Sequence, residues 1–497
     1  MQVYTYKAAI LAAPLILTSA PCRADTLEEA ITSAYANNPA LAGRRDLVSA
    51  ADESVVQAEA AYGPTLSASA SHTYTAARTR GTLLPSRNDG FATSAEFRLS
   101  QPLFTSGRLA TQVDAARAVK LVERAQLEAS SQQLILDVVN AYVSLQRDIE
   151  LYGVALEIRQ LLRQQRDVTA ARFRLRDATQ PDVDQTNNRL ELAAGRVIAA
   201  RATVEASAAR YRNLVGVYPT KLDPLPAVPA VPDLERLYAA AERHNPTLAA
   251  AQFTEMRSSA LVGAARAEMM PQVSAFASAA RSPLTPYQNT FREEAVVAGV
   301  SVTMPLYTGG QQSSALREAI DRNQADQQFV EQARRDMRET LASNWSLFQA
   351  ASAALPRYEA AVQAAERAVE GVKTQETSGI RTLRDVLDVT NDLLNARTAA
   401  VQARAERYLR RVAVLRDAGL LTIGMFAQVP AYDPDSRRAG IAGLAGLPLR
   451  PILEPVDRLL LYERVPLAPV QREDQETFTW PGQTEVIPAE RTPSDRD

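Results

Sequence analysis

Residues 91–107 read FATSAEFRLSQPLFTSG, and residues 295–310 read AVVAGVSVTMPLYTGG. In the first stretch Phe91, Ala95, Phe97 and Leu99 alternate with Ser94, Glu96, Arg98 and Ser100. In the second, Val296, Ala298, Val300 and Val302 stand 203 residues after Thr93, Ala95, Phe97 and Leu99, so the same face is apolar in both. A period of two with one apolar and one polar face predicts a half-buried strand. Its return with the faces preserved predicts a duplicated unit.

The echo extends in both directions. Pro102-Leu103-Phe104-Thr105-Ser106-Gly107 returns as Pro305-Leu306-Tyr307-Thr308-Gly309-Gly310, and the same offset of 203 relates Tyr142 to Trp345, Asp182 to Asp385 and Gly216 to Gly419. Upstream the offset is 207, from Asn38-Pro39 to Asn245-Pro246 and from Pro64 to Pro271. One four-residue deletion reconciles the two values, and it belongs in a surface loop.

This register divides the chain into five parts. Residues 1–24 form a secretory signal peptide, with Lys7, an apolar stretch from Ala8 to Leu17, and small residues up to Ala24. The only cysteine, Cys22, lies inside it; a lipid-anchored Cys22 is the alternative, which Pro21 disfavours. Residues 25–217 are repeat 1, 218–232 a Pro-rich linker, 233–420 repeat 2, and 421–497 a Pro-rich tail expected to be weakly ordered.

Each repeat is expected to open with a helix of about 35 residues, Thr26 to Ala61 and Asp233 to Glu268, stopped by Pro64 or Pro271. A β-hairpin follows, 65–101 or 272–304, with the Gly-, Pro- and Ser-rich segments Ala76 to Gly90 and Arg281 to Glu294 read as exposed tips. Long helical hairpins, 108–216 and 311–419, complete the units. From Arg108 to Arg172 there is no proline and one glycine, so the helix would reach about 97 Å. Leu134, Val138, Ala141, Leu145, Ile149 and Tyr152 form its packing seam. In the second return helix Val386, Val389, Leu393, Ala396, Ala400 and Ala403 do the same. Gly153 and Pro356 correspond at the 203 offset, which predicts a shared break or kink. The tips fall at Arg174 to Gln180 and Glu376 to Thr382.

Composition narrows the function. Lys and Arg number 55 against 57 Asp and Glu, which excludes a strongly basic nucleic-acid surface. His72 and His244, the two histidines, lie far apart in sequence and read as solvated side chains. With no cysteine beyond Cys22, disulfides and thiolate metal sites are excluded from the mature chain. No nucleophile elbow, phosphate loop or metal-ligand cluster is present, so the chain reads as no enzyme, with no cofactor. No stretch after the signal approaches eighteen consecutive apolar residues, so no transmembrane helix is expected.

Strands of about ten residues instead suit an outer-membrane barrel. Four strands cannot close alone, and an open edge in lipid leaves backbone groups without partners. Several chains must therefore contribute. Two chains give eight strands with an interior filled by side chains; three give twelve and a wider lumen. A soluble four-stranded sheet on a helical bundle is the competing architecture, and a soluble periplasmic coiled-coil adaptor or scaffold the competing function. A lipid-facing stripe is something a scaffold does not need.

The tip sequence Ser378-Gly379-Ile380-Arg381-Thr382-Leu383-Arg384-Asp385-Val386-Leu387-Asp388, with the signal peptide and the duplicated helix, hairpin and helical pair, resembles the TolC-type outer-membrane channel proteins. The resemblance covers about Asp25 to Gly419. It implies a mainly α fold with a small β part: a homotrimer whose four strands per chain make a twelve-stranded barrel, continued by antiparallel coiled-coil helices as a periplasmic tunnel. It also implies an outer-membrane location, a passive conduit for type I protein secretion or multidrug efflux, and docking of a periplasmic adaptor (membrane fusion) protein and an inner-membrane ABC or proton-driven transporter.

Asp385 and Asp388, three apart, share a helix face. In a trimer with that face inward they would form a ring of six carboxylates that attracts cations. From spacing alone, acids favourable to the helix macrodipole explain them better. The resemblance places the pair at the periplasmic entrance, where multivalent cations block, and gives Arg381 a part in holding it shut. Where the best-known family sequence has tyrosine three residues before the glycine, this chain has Glu376. Repeat 1 offers only Asp182 and Gln185 at the matching positions. On the strands, Ser94, Glu96 and Arg98 are lumen-facing candidates, and Phe97, Leu99, Val296, Val300 and Val302 lipid-facing ones, in contact with outer-membrane lipid. Phe91, Phe104 and Tyr307 are either interfacial anchors or packing residues.

Overall fold

The computed structural model describes residues 26–79, 86–427, 432 and 449–460. The signal peptide with Cys22, and most of the Pro-rich tail, lie outside them.

Each repeat opens with two helices rather than one. In repeat 1 these are α1 (Leu27–Asn37) and α2 (Pro39–Ala60), which break at Asn38. Its side chain accepts from the backbone N–H of Ala40 and Leu41, while Pro39 has no N–H to continue the first helix. Asn38-Pro39 was legible as a repeat marker, and its meaning is a helix stop followed at once by a start. Repeat 2 uses Asn245-Pro246 in the same way between α5 (Leu234–His244) and α6 (Pro246–Ala267).

The strands are longer than ten residues: β1 (Thr65–Thr79) has 15, β2 (Ser86–Phe104) 19, β3 (Gln272–Thr285) 14 and β4 (Gln288–Thr303) 16. Most of the two segments expected as loop tips is thus paired backbone. Antiparallel pairing runs without a break from Thr65↔Ser100 to Thr79↔Ser86. It satisfies the main chain whatever the side chains, which is why turn-rich composition misled. The four strands form one sheet in the order β1-β2-β3-β4, with β1 and β4 as free edges.

Two helices of 67 residues, α3 (Arg108–Arg174) and α7 (Gln311–Thr377), descend from the sheet, and α4 (Gln180–Val215) and α8 (Leu383–Asp417) return. The expected break at Gly153 and Pro356 does not interrupt either helix. One missing N–H is a small perturbation in a helix held by the hydrogen bonds of every flanking turn. Each long helix starts from a left-handed glycine, Gly107 at φ 88° and Gly310 at φ 87°, a conformation that side chains resist.

The core lies at the middle height. Leu134, Val138, Ala141, Tyr142 and Leu145 of α3 pack there with Ile31, Tyr211, Val215 and Leu415. The repeat 2 counterpart gathers Leu237, Leu248, Met337 and Leu341, with Trp345 and Phe348 against them. The expected α3 seam leaves this core at Ile149, which is exposed. Lower down, Ile158, Leu162 and Ala193 pack on Leu387 and Leu394, holding α8 to the first helical pair. Among the described residues no helix is long and apolar enough to cross a membrane. Within the tail expected to be weakly ordered, α9 (Arg450–Asp457) is helical and returns to the top of α2 and α3. Its anchors are half-buried ion pairs and the hydrogen-bonded carboxylate of Asp457, which composition does not reveal.

A candidate channel wall and periplasmic gate

The sheet sorts its side chains as period two requires. Ser94, Glu96 and Arg98 share one face; in register, Ser71 lies opposite Ser94, Ser69 opposite Glu96, and Ser67 opposite Arg98. Glu96 and Arg98 form an ion pair at 2.8 Å. This face is less polar toward the other edge, where Phe276 and Val297 join it and the Phe276 ring lies over Gly299.

The opposite face is apolar and uncovered. One row runs Ala68, Phe97, Ala279, Val296 and the next Leu66, Leu99, Ala277, Ala298; Val300 and Val302 continue it beside Ala275 and Val273. Val296 is 83% exposed, and Phe97, Leu99, Val300 and Val302 are exposed too. In water such a face would be costly, at ~25 cal/mol per Å² of apolar surface. Aromatic rings mark both of its ends. Phe91 stacks on His72, with ring centroids 4.9 Å apart, and abuts Tyr74; Tyr307, just beyond β4, is 90% exposed. Phe104 is half-buried.

At the other end of the long helices, some 100 Å away at ~1.5 Å per residue, are the tips. Arg381, Asp385 and Asp388 sit together at the start of α8, each with a different hydrogen-bond partner. Asp385 closes a capping box: the Thr382 backbone N–H and hydroxyl both donate to its Oδ2, each at 2.9 Å. These bonds, helped by Arg381 and Arg384, hold its carboxyl below the ordinary value. Asp182 does the same for Thr179 at the first tip, where the threonine hydroxyl and backbone N–H again lower the carboxyl. So one role of the 203-residue echo at Asp182 and Asp385 is to start a helix. Asp388 lies 3.5 Å from Arg189 of α4 and 3.8 Å from Arg384. Arg381 donates to Gln375 at 3.4 Å.

Sequence reasoning passed over the strongest tie at the tips. Glu376, 8% exposed, is ion-paired with Arg172, so the last turns of α3 and α7 are joined. Two further arginines of α8 bridge the same helices: Arg397 touches Glu157 at 2.5 Å and Glu366 at 2.8 Å, and Arg404 touches Glu150 at 3.1 Å and Glu359 at 3.7 Å. All three helices repeat these charges every seven residues. That heptad spacing was the available signal.

This arrangement was compared with known proteins. The family model described as Outer membrane efflux protein matches residues 30–217 and 237–419. Outer membrane efflux protein BepC of Brucella suis biovar 1 (strain 1330) is 29% identical over 432 residues, covering 86% of this chain and 93% of its own. Outer membrane protein TolC of Escherichia coli (strain K12) is 24% identical over 424 residues, 80% of this chain and 83% of its own. The crystal structure of the outer membrane protein VceC from Vibrio cholerae superposes with a TM-score of 0.68 at 20% identity, over 79% of this chain and 96% of that one. It shares the fold.

Proposed function

Because this chain belongs to the outer membrane efflux protein family, we propose that three copies close one twelve-stranded barrel, continued by their helices as a tunnel across the periplasm. The chain is an outer-membrane conduit and carries out no catalysis. In this reading it is the passive duct of a tripartite export system. An energised inner-membrane transporter, ABC-type or proton-driven, and a periplasmic adaptor engage the tip end. Its cargo is either secreted protein or small toxic compounds.

The observation that carries the trimer is an asymmetry between matched elements. α3 and α7 have the same length, yet twenty-one α3 residues are buried and only five of α7. α3 has α2 and α6 beside it and both return helices against it; α7 lies at the open flank, with Phe329, Leu347 and Tyr358 exposed. A neighbour's repeat 1, placed as repeat 2 is placed on α3, would cover that flank. It would also pair β4 with a neighbour's β1 and leave no strand edge in lipid.

The gate is then the ring of tips. With one Arg172–Glu376 link per chain and Asp385 and Asp388 around the axis, closure rests on polar links whose release lets the tips splay. Ser94, Glu96 and Arg98 line the lumen, while Phe97, Leu99, Val296, Val300 and Val302 meet lipid. Single-channel recording in planar bilayers tests the gate: Asp385→Ala combined with Asp388→Ala is expected to weaken block by multivalent cations. Unchanged block would remove these carboxylates from the cation site.

A further inference from the structure

Described residues of the tail touch both ends of α2 and the turn above it. Tyr432 lies over the Arg45 guanidinium at 5.1 Å, Arg450 reaches Glu59 at 2.7 Å, and Asp457 ends beside the turn between β2 and α3. There its carboxylate, in a residue 1% exposed, accepts from the backbone N–H of Thr105 and of Gly107, from the Thr105 hydroxyl, and at 3.4 Å from the Tyr62 hydroxyl. Burial, and after it the charge of Asp457, raises the Tyr62 phenol well above its ordinary value. Arg458 holds Asp114 with two bonds of 2.9 Å each.

α9 and the turn that follows it are therefore amphipathic the wrong way round for a segment in water. Arg450, Glu454, Asp457 and Arg458 face the protein. Leu449, Ile452, Val456 and Leu459, spaced by three and four, form an exposed stripe on the other side, with Ile452 64% and Leu459 77% exposed. A soluble helix hides its apolar stripe and shows its charges. Its height decides what covers this one. Asp457 is bonded at Tyr62 and Thr105, just outside β1 and β2, and Leu66 and Leu99, the first exposed apolar pair of those two strands, lie a few residues further along the chain.

We propose that α9 is an interfacial membrane helix: it lies at the periplasmic leaflet of the outer membrane, its charged side clamped to the protein and its apolar stripe in the lipid. This rests on the reading that the sheet's apolar face meets lipid. It makes the chain's contact with the bilayer wider than the barrel, and fixes the barrel's height through the Asp457 clamp. A helix placed so buries its apolar side ~5–10 Å into the headgroup and acyl boundary.

The test uses the full chain in a Cys22→Ser background, reconstituted in phospholipid vesicles. A fluorophore is attached at Ile452→Cys, Leu459→Cys or, as a barrel reference, Val300→Cys; these positions are exposed, so labelling leaves the packing intact. Lipids carrying a quencher near the headgroup are expected to reduce emission at Ile452 and Leu459 about twofold, more than lipids quenching at the chain end. Val300 should respond to the deeper quencher. If both tail positions respond only to aqueous iodide while Val300 responds to lipid, the proposal fails and the barrel reading stands. Shielding from iodide and lipid alike would mean that a neighbouring copy covers α9, which also overturns it. A Val300 label blind to lipid would instead overturn the reading on which the proposal rests.

Discussion

Glu376 shows how much one buried charge can decide. Its carboxylate is buried against the Arg172 guanidinium, and the two tie repeat 1 to repeat 2 at the far end of the molecule. Removing one partner strands the other, which costs more than removing both. Arg172→Ala should loosen the tip by about 2 kcal/mol, a figure kept below that of a fully buried pair because Arg172 is partly exposed. The double variant Arg172→Ala with Glu376→Ala should be the milder. Single-channel conductance checks the order: the single variant is expected to open more often than either wild type or the double variant. Equal conductance in all three would assign the pair to packing alone. At Asp385 the capping box shows a carboxylate with a structural task, which the ring reading must share with it.

At the scale of elements, the two repeats use the same helix ends for different loads. Gly216 and Gly419 close the return helices with left-handed backbones, φ 95° and 71°. A Cβ at Gly216 would meet nothing within 4 Å, whereas at Gly419 it would stand 2.3 Å from the carbonyl oxygen of His244. Gly216→Ala should therefore cost about 1 kcal/mol, the backbone effect alone. Gly419→Ala adds a collision between the end of α8 and the α5–α6 junction, and should exceed it by about 2 kcal/mol or more. Thermal unfolding in detergent checks the difference; equal midpoints would show that the junction yields. The sheet supplies the complementary lesson. Its facing was legible because alternation is local, but its length was not, since pairing across the hairpin extends strands through residues of poor strand propensity.

For the whole molecule, the chain is a duplicated wall segment left open on both flanks. The burial contrast between α3 and α7 and the two free strand edges support a threefold closure. Light scattering of the detergent-solubilised protein, corrected for detergent, is expected to give the mass of three chains. A monomer would leave the edges unaccounted for, and a dimer would supply eight strands and a filled interior; either overturns the twelve-stranded barrel. Among the described residues the clamp at α9 has no counterpart in repeat 2. Thr308 and Gly310 sit exposed where Thr105 and Gly107 hold Asp457, so the tail marks one junction of each duplicated pair.

Periodicity and echo in the sequence determined the duplication, the two faces of the strands, the long helices and the positions of both tips. Each of these is written in residues near one another along the chain, where spacing alone fixes which side chains share a surface. The tertiary structure alone decided that Glu376 meets Arg172, that Arg397 and Arg404 bridge two helices, and that Asp457 returns to cap the start of α3. The contacts among them that join the repeats or the tail link residues 204 to 352 positions apart. The heptad spacing marks the charges of the two bridging arginines, but no local pattern names any of the partners, because pairing depends on the distance to which the folded helices bring opposite charges and on the water removed around them.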